Sequence, residues 1–245
     1  MANETHLSRY LAHVFALQDY TGKPFRLFGR SHVVALSVLA VLTLALFGLN
    51  HVSAPEVHLF VRYALLSIMI ASEIGSHLWH RHLGEWRLQK ILPLHLCTFT
   101  GNLCIILLIA PQYYLWEFVY FMGLCAASQS LFTPQIGRYG FPHYEYFRNF
   151  IWHGGIVIVS VYVMIMEGYR PTWMSLLRVG LEINIYILSV LWLNRRLGSN
   201  YMFLTQKPVM PTILDSFGPW PWYIVEMELM GAVVVLLLYV PFLFV

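Results

Sequence analysis

The sequence predicts an all-α polytopic membrane protein, a bundle of seven transmembrane helices with the N-terminus cytoplasmic and the C-terminus external. Three observations predict it. Of the 245 residues, 58% are hydrophobic and 16% aromatic, and only 11% are charged, against roughly a quarter charged in soluble domains. Seven apolar stretches reach or approach the roughly 20 residues that a helix needs to cross a bilayer. The Lys and Arg residues crowd into alternate loops, the asymmetry that marks the cytoplasmic side.

The spans fall at 32–50, 57–79, 91–110, 113–132, 149–167, 173–193 and 221–244. Residues 1–30 form a cytoplasmic N-terminal segment and residues 31–245 the seven-helix domain. The spans use most of the chain. They leave no room for a separate soluble domain, a nucleotide-binding module or a long lumenal loop, so nucleic acid is not an expected partner.

In chain order, the first 30 residues lack the early apolar run and small-residue cleavage site of a signal peptide. Leu7, Leu11, Val14 and Phe15 recur at helical spacing, which predicts a short interfacial helix with Arg9 and His13 toward water. Arg9, Lys23, Arg26 and Arg30 precede the first span, and Arg81, Arg87 and Lys90 lie between the second and third. Arg138 and Arg148 lie between the fourth and fifth, and Arg195, Arg196 and Lys207 between the sixth and seventh. That puts 12 of the 15 Lys and Arg on one side. Arg170 alone lies in an opposite loop, while Arg62 and Arg178 sit just inside spans, where long side chains snorkel outward. The orientation is the reverse of a seven-helix receptor. Cys97, Cys104 and Cys125 all fall inside spans without CxxC spacing, so neither a disulfide nor a cysteine metal site is expected.

Orientation converts position into depth. Spans three, five and seven begin at the cytoplasmic face, which puts Cys97, His153 and Glu226 one to two turns in, roughly 5 to 10 Å at 1.5 Å per residue. Spans two, four and six end there, bringing Glu73, His77 and His80, then Ser128 and Gln129, then Ser189 and Asn194 to comparable depth. Polar groups are costly against lipid, so these are expected to face a common cavity. Glu73, His77 and His80 stand at i, i+4 and i+7 on one helix face. Each alone is as well explained by a helix–helix hydrogen bond; several converging at one depth favour a site.

A lone buried cysteine is usually a small hydrophobe. Cys97 has a different context, because Pro93 suits a first helical turn and so places the thiol near a helix N-terminus, where the dipole favours thiolate. His95, two residues away, points to another face of a regular helix, which leaves His153 as the better base. Asn102, deeper on the same helix, is suited to bind a carbonyl oxygen, as is Gln129. Residues 137–146, aromatic and basic with Arg138 among them, suit the headgroup level and a lipid phosphate. A plain aromatic belt explains most of those side chains equally well.

At His95-Leu96-Cys97, His153-Gly154-Gly155, Asn200-Tyr201-Met202-Phe203-Leu204, Lys207-Pro208 and Gly218-Pro219-Trp220-Pro221-Trp222-Tyr223 the sequence resembles the bacterial YwaF-like integral membrane proteins. Their eukaryotic relative is a transmembrane acyltransferase that places polyunsaturated acyl chains on ether phospholipids. The resemblance runs over roughly residues 25–245. It implies a seven-helix bundle and a cysteine and a histidine needed for activity, which map by context onto Cys97 and His153. The reaction expected is acyl transfer between phospholipid and lysophospholipid through a Cys97 thioester at the cell membrane. His95, Asn102, Glu73, His77, Gln129, Asn184, Glu226 and Arg138 are the expected supporting or substrate-binding residues, and no metal or soluble cofactor is called for.

Two readings from other classes stay open. A proton- or ion-coupled transporter also places Glu73, His77, Asn184 and Glu226 in the membrane, but it needs a polar path through both halves. The outer half offers Arg62, Glu117, Arg178 and Glu182, of which Arg178 and Glu182 are spaced i, i+4 and suited to pair with each other. Metal or haem binding by His77, His80, His82 and His95, or non-enzymatic lipid binding, is the other.

Overall fold

The computed structural model describes residues 13–16, 20–52, 54–209 and 212–244. Leu7, Arg9 and Leu11 of the expected interfacial helix lie outside them; of its described part, Val14 is buried and the Phe15 ring stands 5.4 Å from that of Tyr144. Among the described residues the regular structure is entirely helical.

Helix α1 covers Arg30–Leu49 and α2 Pro55–His82. A short α3, Leu88–Ile91, precedes α4, Leu96–Ile109. Helix α5, Tyr113–Phe118, passes through a π-helical turn, Val119–Gly123, into α6, Leu124–Phe132. Then follow α7, Tyr144–Met166, α8, Trp173–Leu197, and α9, Trp222–Tyr239, which ends in a 3₁₀ turn, Val240–Phe242. Five of these, α1, α2, α7, α8 and α9 with its last turn, are long and apolar enough to cross a bilayer. Helix α4 is apolar but shorter.

Two helix starts differ from expectation, each for a local reason. The third apolar stretch is broken because Leu92, held out of helical geometry by Pro93, is extended (φ −64°, ψ 142°) and the helix restarts at Leu96 with His95 as its cap. Pro93 therefore precedes the helix instead of opening its first turn, although Cys97 is still the second helical residue. The interruption is tolerated because its backbone groups find partners: the Tyr201 hydroxyl accepts from Leu92 N–H at 3.0 Å and the Tyr186 hydroxyl donates to Leu94 O at 3.1 Å. Irregular backbone at membrane depth persists only where protein satisfies it in this way. Helix α7 begins at Tyr144, earlier than expected, because His143 caps it by accepting the Glu145 N–H at 3.1 Å. His153 consequently lies in the third turn of α7, not within one to two turns of its start.

Helix α7 is the centre of the bundle, packed on α1, α2, α4 and α6. Of its apolar stretch 61% is buried, against 6% to 17% for the other four long helices. Small residues make this possible, as in other membrane bundles. A methyl group at Gly154 would strike Leu39 of α1, one at Gly155 would strike Met69 of α2, and Gly101 of α4 receives the Trp152 ring of α7. The outward faces of α1, α8 and α9 carry exposed Val, Leu, Ile and Trp side chains, a band far larger than soluble proteins expose and one suited to lipid.

At the end of the bundle away from Cys97, the expected Arg178–Glu182 pair is replaced by a longer-range one. Arg178 donates from Nη2 to Glu117 Oε1 at 2.6 Å and from Nε to Oε2 at 2.9 Å, and Ser175 donates to the same carboxylate. Glu117 is only 1% exposed, and a buried carboxylate without donors is far costlier than the exposed Glu182. Arg62 donates to the last carbonyls of α4, Leu108 O at 2.5 Å and Ile109 O at 3.1 Å.

Candidate functional site

A cavity of about 1300 Å³ opens among α2, α4, α6, α7, α8 and α9. Glu73, His77, His95, Cys97, Gln129, His153 and Asn184 line it, whereas Asn102, Arg138 and Glu226 do not. It exceeds the roughly 300–1,000 Å³ of ordinary small-molecule sites.

The Cys97 thiol lies 3.7 Å from the Ser130 hydroxyl on α6. The carbonyl of Ser130 accepts from Asn149 Nδ2 at 3.3 Å, and the carbonyl of Asn149 accepts from His153 Nδ1 at 2.8 Å. Three helices, α4, α6 and α7, are thus joined through the residues that carry the reactive groups. Sequence alone does not single out Ser130; it favours the neighbours Ser128 and Gln129. Only the rotation of α6 separates them: Ser128 turns back onto the Cys125 carbonyl at 3.0 Å, while Ser130 faces the cavity.

Two of the histidines that line the cavity, His153 and His95, are held in opposite tautomers. A carbonyl can only accept, so His153 Nδ1 carries the proton and its Nε2 holds a bare lone pair. At His95 the Nδ1 accepts the Met202 N–H at 3.2 Å, so Nε2 carries the proton. One ring offers an acceptor and the other a donor. Asn102 does not line the cavity, and its amide donates to Glu73 Oε1 at 3.2 Å. Glu73 also stands 3.6 Å from His77 Nε2, and His80, on the same helix face, has a buried Nδ1 with no partner among the described residues.

The connection from α8 to α9 closes one wall. Asn194 accepts from Tyr201 N–H and from the Ser199 hydroxyl, both at 2.8 Å, and donates to Tyr201 O at 2.9 Å. The Tyr201 hydroxyl reaches α3 at Leu88 O, 2.5 Å away, and the Tyr223 hydroxyl reaches Phe203 O, also at 2.5 Å. Met202 and Phe203 both take the left-handed conformation, φ 56°, which non-glycine residues adopt only when their surroundings impose it. Here it presents the Met202 N–H to His95. Glu226 serves this clasp by accepting the Gly218 N–H at 3.1 Å; its neighbour Glu228 faces the cavity instead.

Two cations reach the cavity wall, each already paired: Lys90 with Glu85 and Arg148 with Glu145, both at 2.7 Å. Arg62, Glu117 and Arg178, taken up in their own contacts, are not among the lining residues. Among the described residues no three His, Cys, Asp or Glu side chains gather in a metal-holding arrangement.

A helical bundle with five long apolar helices and a mainly apolar cavity that holds a few polar side chains defines a multi-pass membrane protein. Residues 27–239 match the TMEM164 family of transmembrane proteins, and the chain belongs to that family. No curated protein and no solved structure matches it.

Proposed function

We propose that the protein is a phospholipid acyltransferase in which Cys97 carries the acyl group as a thioester and His153 moves the proton. Counting α1, α2, α4, the α5-to-α6 run, α7, α8 and α9 as seven spans, the N-terminus lies in the cytoplasm and the C-terminus outside, at the cell membrane. The observation that carries the reading is the His153 tautomer, whose bare Nε2 belongs to the same cavity as the Cys97 thiol.

In the first half-reaction the Cys97 S–H proton passes to His153 Nε2 and the sulfur attacks the ester carbonyl of a phospholipid. The S–C bond forms, the ester C–O bond breaks, and the departing lysophospholipid oxygen takes the proton back from His153. In the second, His153 accepts the hydroxyl proton of an incoming lysophospholipid. Its oxygen attacks the thioester, the S–C bond breaks, and His153 returns the proton to sulfur. His95 Nε2–H and the Gln129 amide supply hydrogen bonds to the oxyanion of each tetrahedral intermediate. A donor so placed contributes about 10²–10³ in rate. Glu73, His77 and Asn184 line the path of the headgroup, and Asn102 orients Glu73. The scheme needs no metal and no soluble cofactor.

The test is acyl exchange between phosphatidylcholine and a chain-labelled lysophospholipid in nanodiscs holding the purified protein. Exchange, with a hydroxylamine-sensitive acyl mass on the Cys97 peptide, supports the scheme. Exchange that persists unchanged in both Cys97→Ala and His153→Ala disproves it.

A further inference from the structure

We infer that the gap between α8 and α9 is a lateral portal that admits the acyl chain of a bilayer phospholipid into the cavity. Its purpose rests on the acyl-transfer reading, but its geometry does not. Helix α8 contributes Val179, Gly180 and Ile183 to the cavity wall, and α9 contributes Met227, Gly231 and Val235. Among the described residues the two helices nevertheless do not form one of the principal helix–helix interfaces of the bundle. They are joined at the site end, where Ile187 and Val190 of α8 meet Ile224 and Met227 of α9 around the Tyr201–Phe203 turn. Each also leans on the π-helical turn. Between those two points the wall is open.

The glycines mark the opening. A methyl group built on Gly180 or on Gly231 meets nothing within 4 Å. At the closed contacts of the bundle, Gly101, Gly154 and Gly155, a methyl group collides with the neighbouring helix. The first pair are vacant wall positions, not close-approach positions. Both flanking helices are long apolar membrane candidates, 17% and 6% buried over their apolar stretches, so the gap faces hydrocarbon. A water-soluble ligand would have to cross lipid to reach it, whereas an acyl chain is already there. The same cavity is lined by Cys97, Ser130 and His153, which brings a chain threaded from the bilayer toward the thiol.

The purified full chain in nanodiscs of phosphatidylcholine, part of it carrying a diazirine midway along the second acyl chain, tests this on illumination. The portal predicts carbene insertion at inward positions of α8 and α9 such as Val179, Ile183 and Val235. That insertion should fall at least about five-fold in Gly180→Phe and in Gly231→Phe and persist in Gly180→Ala. Insertion confined to outward positions such as Leu181, Leu188 and Leu237, or unchanged in both Phe variants, overturns it. If neither Phe variant can be purified, the wild-type insertion map decides by the same inward-against-outward criterion. Acyl exchange measured on the same samples separates the two ideas. Blocked insertion without any wild-type exchange keeps the portal and removes the enzyme, and exchange indifferent to both plugs keeps the enzyme and removes the portal.

Discussion

The Nδ1–H of His153 donates to the carbonyl of Asn149, one helical turn earlier on α7 and 2.8 Å away. That bond sets the ring's rotation and its tautomer together, because the only nitrogen left to the cavity is unprotonated Nε2. A backbone carbonyl does here what a carboxylate does in many triads. It orients the proposed base without adding a negative charge.

The first prediction concerns that base. His153→Gln keeps volume and the donor to Asn149 but has no titratable nitrogen to accept a proton. Acyl exchange is expected to fall about 10²–10⁴-fold, the range for loss of a general base, with thermal stability unchanged. A Gln variant with wild-type turnover assigns the proton transfer elsewhere.

His95 separates binding from chemistry. Its Nε2–H is proposed to act on an oxyanion that exists only in the transition state, so His95→Phe should lower kcat about 10²–10³-fold and leave KM little changed. The ring also receives the Met202 N–H at 3.2 Å, so the variant loses stability as well. Steady-state kinetics on protein shown to be folded by thermal unfolding distinguish the two losses, since a purely structural role lowers the active fraction without altering the kcat to KM pattern.

Much of this arrangement is legible in the sequence, and the part that is not has a common cause. Apolar length, charge asymmetry and helical periodicity locate the long helices and bring Glu73, His77, Cys97 and His153 to one region, because burial of unpaired polar groups in lipid is costly whatever the detail. Rotation about a helix axis carries no such penalty visible in one dimension. Glu226 and Glu228 are two residues apart and equally polar. The first caps Gly218 and the second faces the cavity. The same holds for Ser128, Gln129 and Ser130. Asn102 illustrates a further limit, since whether an amide is free or spent on Glu73 depends on the facing helix.

Asn194 tests the clasp. It is 1% exposed and makes three hydrogen bonds to Ser199 and Tyr201. Asn194→Ala removes a partner from groups that stay buried, a loss of about 1–3 kcal/mol for each group left unsatisfied. Thermal unfolding should show a clear drop, and exchange activity should fall with it because Met202 no longer holds His95. Asn194→Asp, which keeps the acceptor for Tyr201 N–H, should lose less.

The Glu117–Arg178 pair gives a prediction of order. Arg178→Ala strands a carboxylate that is 1% exposed, whereas Arg178→Ala combined with Glu117→Gln removes the charge that needed an ion partner. The double variant is therefore expected to be more thermostable than the Arg178 single variant, and acyl exchange in it should stay near wild type because neither residue lines the cavity. A double variant less stable than the single one contradicts the assignment.

The docking of the N-terminal segment is expected to weaken on acidification, with His143 as the titrating group. His143 is fully buried, its Nε2–H donates to Ala16 O at 2.9 Å, and its Nδ1 accepts the Glu145 N–H. Tyr20 adds a bond to Gly140 O at 3.1 Å, and Phe25 N–H one to Gly137 O at 3.2 Å. Burial lowers the His143 pKa, assisted by His13 and opposed by the Ala16 carbonyl and Glu145. The docked state thus binds fewer protons than the undocked one. Stability is full above the ordinary histidine value of about 6.5 and is lost as pH falls below it toward the depressed value. Protonation at Nδ1 would also abolish the cap of α7. Thermal unfolding followed from about pH 8 to pH 5 should show a downward step in wild type that is much reduced in His143→Asn, whose short amide keeps an acceptor for the cap but does not titrate. An equal step in both proteins would assign the acid sensitivity to other groups.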